Sequence, residues 1–388
     1  MVESRWLRWI GPGFAALGAV AIVAATTLGA GTRPWTPEAC AGPVADLVSA
    51  ASAPAPEALP GLRGEPWYRL DPLVDGGGAL RGQQLTLGLD GDRNARSLNL
   101  SNESFAAGPF GRLVIAGSDD GAASRLRAID VGRGCAWSIG SESVVIRRAT
   151  IDPTGRFAYE VRVDRATRAD LGVWRRALDS SGSAPAQRVL EPIADDVRFG
   201  RTFSTEFTWD VAGERLAVQS CGETACRTRV IAPDGSQARS LEMPDLGLLV
   251  GLDGDSAVTY EACRGLPCPI VSTDLRTGDR TVLAPAAGLA VLVATPNGIR
   301  LVHETGAGTG SALRAVALDA ATADNLGPLP VGLRLEPAPV RADAATRLPP
   351  GWVVLAPDGR LPTDATSDRP QLRHVPDGST VPFDEAVR

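Results

Sequence analysis

The side chains that could do chemistry here are few, and the cysteines come first. Cys221 and Cys226 flank Gly-Glu-Thr-Ala, and Cys263 and Cys268 flank Arg-Gly-Leu-Pro; Cys40 and Cys135 complete a set of six. Two C-x4-C pairs could offer four thiolates to zinc. With no histidine near them, in a chain that opens on an export-type leader, disulfides are the expected chemistry and no metal is expected. The two histidines, His303 and His374, fall in strand-like runs and read as packed or surface residues, not as members of a triad. The chain holds no G-x-S-x-G, H-E-x-x-H or phosphate-binding glycine loop. Asp90, Asp92 and Asn94 begin like a calcium loop, but position six is Ala95 and position twelve is Ser101, which favours a hairpin turn. No catalytic residue and no cofactor are therefore assigned. Asn99 and Asn102 stand in N-x-S sequons, which matter only in a glycosylating host.

These residues are carried by a repeated β unit. Phe207 to Leu241 reads as a strand ending at Trp209, a D-x-x-G turn, strands at Arg215–Ser220 and Arg227–Ala232, a P-D-G turn and an outer strand. The same unit aligns on Gly111, Gly155, Gly213, Gly254, Gly298 and Gly351, with separations of 44, 58, 41, 44 and 53 residues. A second register recurs downstream in each unit, from Leu126, Trp174, Arg229, Val271, Leu313 and Leu372. A period in the forties with four strands per unit predicts an all-β, six-bladed propeller, because one blade cannot cover both of its faces alone. The hairpin of Gln83–Leu89 and Arg96–Leu100 either closes that ring or belongs to a seventh blade.

In this register Cys221 and Cys226 sit 8 and 13 residues after one turn glycine, and Cys263 and Cys268 sit 9 and 14 after the next. Each pair thus lies across the same hairpin loop in neighbouring blades and is expected to be a disulfide. Cys40 and Cys135 are left to tie the N-terminal stalk to the first repeat. Trp137, Trp174, Trp209 and Trp352 occupy strand positions and are expected to pack between blades. The segment from Asp179 to Thr202 exceeds an ordinary connection and reads as an insertion on one face.

The turn-and-strand pattern of DPTGRFAYE, with WRRALD downstream, resembles the repeat of TolB-type β-propellers. The similarity runs from about Gly108 to the C-terminus, and Pro349-Pro350-Gly351 departs from its acidic turn. It implies a six-bladed propeller and says far more about architecture than about activity.

Met1 to Ala30 carries Arg5 and Arg8 ahead of an apolar run from Phe14 to Leu28, which suits either a cleaved signal or a retained membrane anchor. Residues 31–78 are rich in Ala and Pro and read as a stalk, and residues 79–388 as the propeller. Of 388 residues 44% are apolar, enough for a large core, and the formal net charge is −6. All 39 basic residues are Arg, none of them clustered, which excludes a nucleic-acid footprint. The expected protein is exported, either secreted or anchored at the outer face of the cytoplasmic membrane. It is expected to be a non-enzymatic scaffold that binds a protein or small ligand on one face, with membrane contact only through an uncleaved leader. A calcium-dependent lactonase-type propeller and an extracytoplasmic sensor domain are the alternatives.

Overall fold

The computed structural model describes residues 33–34 and 38–40, the strands between 67 and 107, and most of 113–382. The interruptions after 113 fall at 131–133, 153–154, 179–184, 193–203, 211–213, 222–224, 245–246, 262, 264, 307–310, 337–344, 348–350 and 358–370. Every regular element among the described residues is a strand, and the strands form seven sheets, here numbered I to VII. Sheets III to VI are simple four-stranded meanders. Sheet III holds Val145–Ile151, Phe157–Val163, Asp170–Ala177 and Gln187–Leu190. Sheet IV holds Ser204–Trp209, Leu216–Cys221, Ala225–Ile231 and Arg239–Pro244. Sheet V holds Leu249–Asp253, Ser256–Tyr260, Cys268–Asp274 and Arg280–Ala287. Sheet VI holds Ala290–Thr295, Gly298–Glu304, Ala312–Ala317 and Ala323–Pro328. Sheet VII holds Leu333–Leu335, Trp352–Pro357, Gln371–His374 and Thr380–Pro382.

The repeat motif has a direct physical cause. At the end of the first strand of sheet III, the Asp152 carboxylate accepts the N–H groups of Arg156 at 2.8 Å and Phe157 at 2.7 Å. Asp210 does the same in sheet IV for Glu214 and Arg215. The turn glycine Gly155 has φ 69°, where a Cβ would be strained. The second register marks the next turn at that end: Asp234 accepts from Ser236 N, and Asp274 accepts from Arg276 N and Thr277 N. Each sheet thus has a turn end, bearing the first-to-second and third-to-fourth connections, and an opposite loop end.

From sheet II to sheet VII, each sheet is stacked on the next by its own apolar cluster. One joins Ile115 and Leu126 of sheet II to Ile146 and Ile151 of sheet III. Tyr159 and Val161 meet Trp209 and Val218, and Ala217 and Val230 meet Leu249 and Leu252. Val258 and Ile270 meet Leu301 and Val316, and Val302 and Leu313 meet Leu333 and Leu355. A core divided into successive inter-sheet layers is what radial repetition requires, and it leaves the second strands buried on both faces, as in Leu216–Ser220. Polar side chains stitch the same joints. Gln219 and Glu304 each stand six residues after their turn glycine and accept the N–H of the next sheet's first strand, from Leu249 at 3.3 Å and Leu335 at 2.8 Å.

The seventh blade left open by the sequence is present. Sheet I contains the expected hairpin, Leu80–Gly88 against Arg96–Asn99, together with Trp67–Val74. Its inner strand is Ala345–Arg347, which leaves sheet VII to pair with Tyr68–Leu70 and so closes the ring. Sheet II consists of Phe105–Ala107, Leu113–Asp119, Ser124–Asp130 and Cys135–Glu142. Three expectations need correction here. The β body begins at Trp67, not at residue 79, because Trp67–Val74 is paired along its length with Leu80–Gly88. The expected stalk of 31–78 also contributes Arg33–Pro34 and Glu38–Ala39 as short parallel strands on the outer edges of sheets I and II. Third, the segment read as an insertion between Asp179 and Thr202 contains Gln187–Leu190, the outer strand of sheet III. That strand is mostly exposed, so no apolar alternation marked it. The leader, residues 1–30, lies outside the described residues.

Candidate functional site

A cleft of about 440 Å³ opens between sheets VI and VII, at the turn end. Its walls are built from turns. Thr295 and Asn297 come from the first turn of sheet VI, Asp324 and Asn325 from that sheet's outer strand, and Asp377 and Gly378 from the last turn of sheet VII. Arg300 reaches in from the second strand of sheet VI, and Leu326 and Val375 supply an apolar wall.

Most of these polar groups are fixed by the backbone around them. Thr295 Oγ1 donates to Gly298 O at 2.7 Å. Asn325 Oδ1 accepts from Gly327 N at 3.0 Å, which orients its carboxamide. Arg300 Nη1 donates to Thr322 Oγ1 at 2.7 Å and stands 3.8 Å from Asp324. Asp377 Oδ1 accepts from Ser379 N at 2.8 Å and lies 3.0 Å from His374 Nδ1. Hydrogen bonds from the Ser379 side chain and backbone, and then from His374, pull the Asp377 carboxyl down to about 2, so it is an anion at any ordinary pH. The carboxylate is nonetheless 61% exposed. Behind the wall, buried Arg373 donates to Leu326 O at 2.5 Å and to Thr380 Oγ1 at 3.1 Å, joining the two sheets under the cleft.

The residues singled out by sequence lie elsewhere. Cys221 is bonded to Cys226 and Cys263 to Cys268, on the loop ends of sheets IV and V. Cys221 and Cys226 are cross-strand partners in register. Cys40 is bonded to Cys135, the first residue of the outer strand of sheet II. His303 is buried, with Nδ1 2.9 Å from Glu304 O, and burial lowers its pKa, which keeps the ring neutral. His374 stacks on Trp352 at 4.7 Å, within sheet VII. Trp209 packs between blades, edge-on to Tyr159 at 5.4 Å and donating to Thr150 at 3.2 Å. Trp137 lies in the layer between sheets II and III. Trp174 instead stays within sheet III, beneath the Arg162 guanidinium, and Trp352 faces its own strand neighbour. Asp90, Asp92, Asn94 and Asn102 lie outside the described residues, and Asn99 ends a strand of sheet I. Among the described residues no three His, Cys, Asp or Glu side chains converge as metal ligands. The cleft residues went unread because T-P-N-G and V-P-D-G each signal only a turn and A-D-N-L-G only an outer strand. Their common signal was that the three segments belong to adjacent units.

No protein-family model matches the chain, and no curated protein matches it. Solved structures do. A puromycin hydrolase is 14% identical with a TM-score of 0.55, over 90% of this chain and 56% of that one. A puromycin-hydrolyzing peptidase of Mycobacterium tuberculosis is 15% identical with a TM-score of 0.53, over 91% and 56%. TolB from Acinetobacter baumannii is 15% identical with a TM-score of 0.44, over 70% and 65%. The chain spans little more than half the length of the two hydrolases, and the likeness at these identities is one of fold: this is a β-propeller.

Proposed function

We propose that the chain is an exported, non-enzymatic propeller that holds a ligand or partner at the turn end of its ring. The observation that carries this reading is the cleft between sheets VI and VII. Its volume falls in the range of about 300–1,000 Å³ that ligand sites occupy, and its exposed polar groups are already held in place by protein hydrogen bonds. Groups fixed before binding lose little freedom on binding, which favours recognition. Export is supported by the three disulfides, since such bonds persist in oxidising compartments. The body is either secreted or anchored at the outer face of the membrane, and a sequence whose basic residues form no run suits no nucleic-acid partner.

The test is made in cells that express the chain with its own N-terminal segment. The body should be accessible to protease added outside the cytoplasmic membrane. A photoreactive side chain at position 297 should give a crosslink that one at position 280, on the outer strand of sheet V, does not. Protection inside the cytoplasm, equal crosslinking at both positions, or turnover of a lactone panel by the purified chain with calcium overturns the proposal.

A further inference from the structure

The chemistry of the cleft narrows its occupant, on the reading that it is a ligand site. Its lining charges are the carboxylates of Asp324 and Asp377 and the guanidinium of Arg300, with the buried guanidinium of Arg373 directly behind the Leu326 wall. Two lining carboxylates against one lining guanidinium set the cleft against anions. The Arg300 guanidinium is only 14% exposed and is held by Thr322, whereas Asp324 and Asp377 are 65% and 61% exposed. Carboxylates accept, carboxamides both donate and accept, and Asn297 and Asn325 bring two carboxamides to the same walls. Acceptors interleaved with donors match a ligand whose own groups both donate and accept. Hydroxyl groups on adjacent carbons do so, and Leu326 and Val375 provide an apolar surface for the C–H face of a ring.

We infer that the cleft between sheets VI and VII binds an uncharged polyhydroxylated molecule of monosaccharide or disaccharide size. Asn297 and Asn325 grip its hydroxyls from the sheet VI side and Asp377 from the sheet VII side. Recognition therefore requires both sheets, and Arg373, which ties them together beneath the cleft, acts as a positioning residue.

The experiment titrates the full exported chain with glucose, galactose, N-acetylglucosamine, maltose and trehalose, using calorimetry and saturation-transfer NMR. Spermidine and citrate serve as charged probes. At least one sugar should bind at millimolar concentration or tighter. Asn297→Ala and Asn325→Ala should each weaken that sugar by about tenfold, the loss of roughly one hydrogen bond, while the protein stays folded. Asp377→Asn, which keeps an acceptor but removes the charge, should retain measurable sugar binding. Binding of no sugar by folded protein, binding of spermidine or citrate in preference to every sugar, or sugar binding untouched by both Asn substitutions overturns the inference. A crosslink at position 297 in cells that lack any sugar response would leave the binding-propeller reading standing and remove only the ligand class.

Discussion

Sheets I and IV do the same job in the ring but are made differently. Sheet IV is one continuous stretch, Ser204–Pro244, in which each strand pairs with the next in sequence. Sheet I is collected from both ends of the chain: Arg33–Pro34 on its outer edge, Trp67–Asn99 in the middle and Ala345–Arg347 inside. A local sheet closes only short loops as it forms, whereas a composite one must wait for distant segments and bear their loop-closure entropy. Covalent bonds are distributed accordingly. The bond within sheet IV spans 5 residues, and the one that pins the segment crossing sheets I and II spans 95.

Breaking the long bond should therefore have the largest effect. In the chain-entropy account a loop of about 100 residues contributes about 4.7 kcal/mol, so Cys40→Ser with Cys135→Ser should lower stability by up to about that much. Hydrogen exchange should rise at Ala39 and along Arg96–Asn99, because the short parallel strands lose their anchor. A change in unfolding midpoint no larger than that of the short-loop variant would remove the distinction between the two sheets. Cys221→Ser with Cys226→Ser comes next, at about 2 kcal/mol for so short a loop. Its exchange changes should stay on the loop end of sheet IV, since Ser204–Cys221 and Ala225–Ile231 remain paired and stacked on both neighbours. Spread of the change into sheet I would show that the ring behaves as one cooperative unit.

The same contrast explains what could be read from sequence. Sheets II to VII each carry a turn glycine, preceded by a capping Asp in sheets III and IV, because a meander meets the same problem at every turn, so six alignments found six sheets. Sheet I has its inner strand in Ala345–Arg347, and no local pattern in Trp67–Leu100 reveals a partner at the far end of the chain. The outer strand Gln187–Leu190 was hidden for a different reason: an exposed edge needs no apolar alternation. Disulfide pairing was legible because it follows from register, as with Cys221 opposite Cys226. The cleft was not legible, because it is a gap between two sheets and no single stretch contains it. Asn297, Asp324 and Asp377 are turn or edge residues one by one, and only stacking makes them neighbours.

The smallest effect belongs to the capping carboxylate that generates the repeat signal itself. Asp210 accepts the N–H groups of Glu214 at 2.6 Å and Arg215 at 3.1 Å. In Asp210→Ala both lose that acceptor, but Glu214 lies at the exposed tip, where water can replace it. The net loss should be about 1 kcal/mol, the ordinary contribution of a capping hydrogen bond. Asp210→Asn keeps a side-chain oxygen and should lose less. Asp152 makes the equivalent bonds to Arg156 and Phe157, so Asp152→Ala should cost sheet III a similar amount. Urea midpoints measure both, and amide exchange at residues 214 and 215 shows whether the effect stays in the turn. If Asp210→Ala instead costs as much as breaking Cys40–Cys135, the turn is not a local device, and the repeated geometry of the meander, more than closure of sheet I, holds the ring.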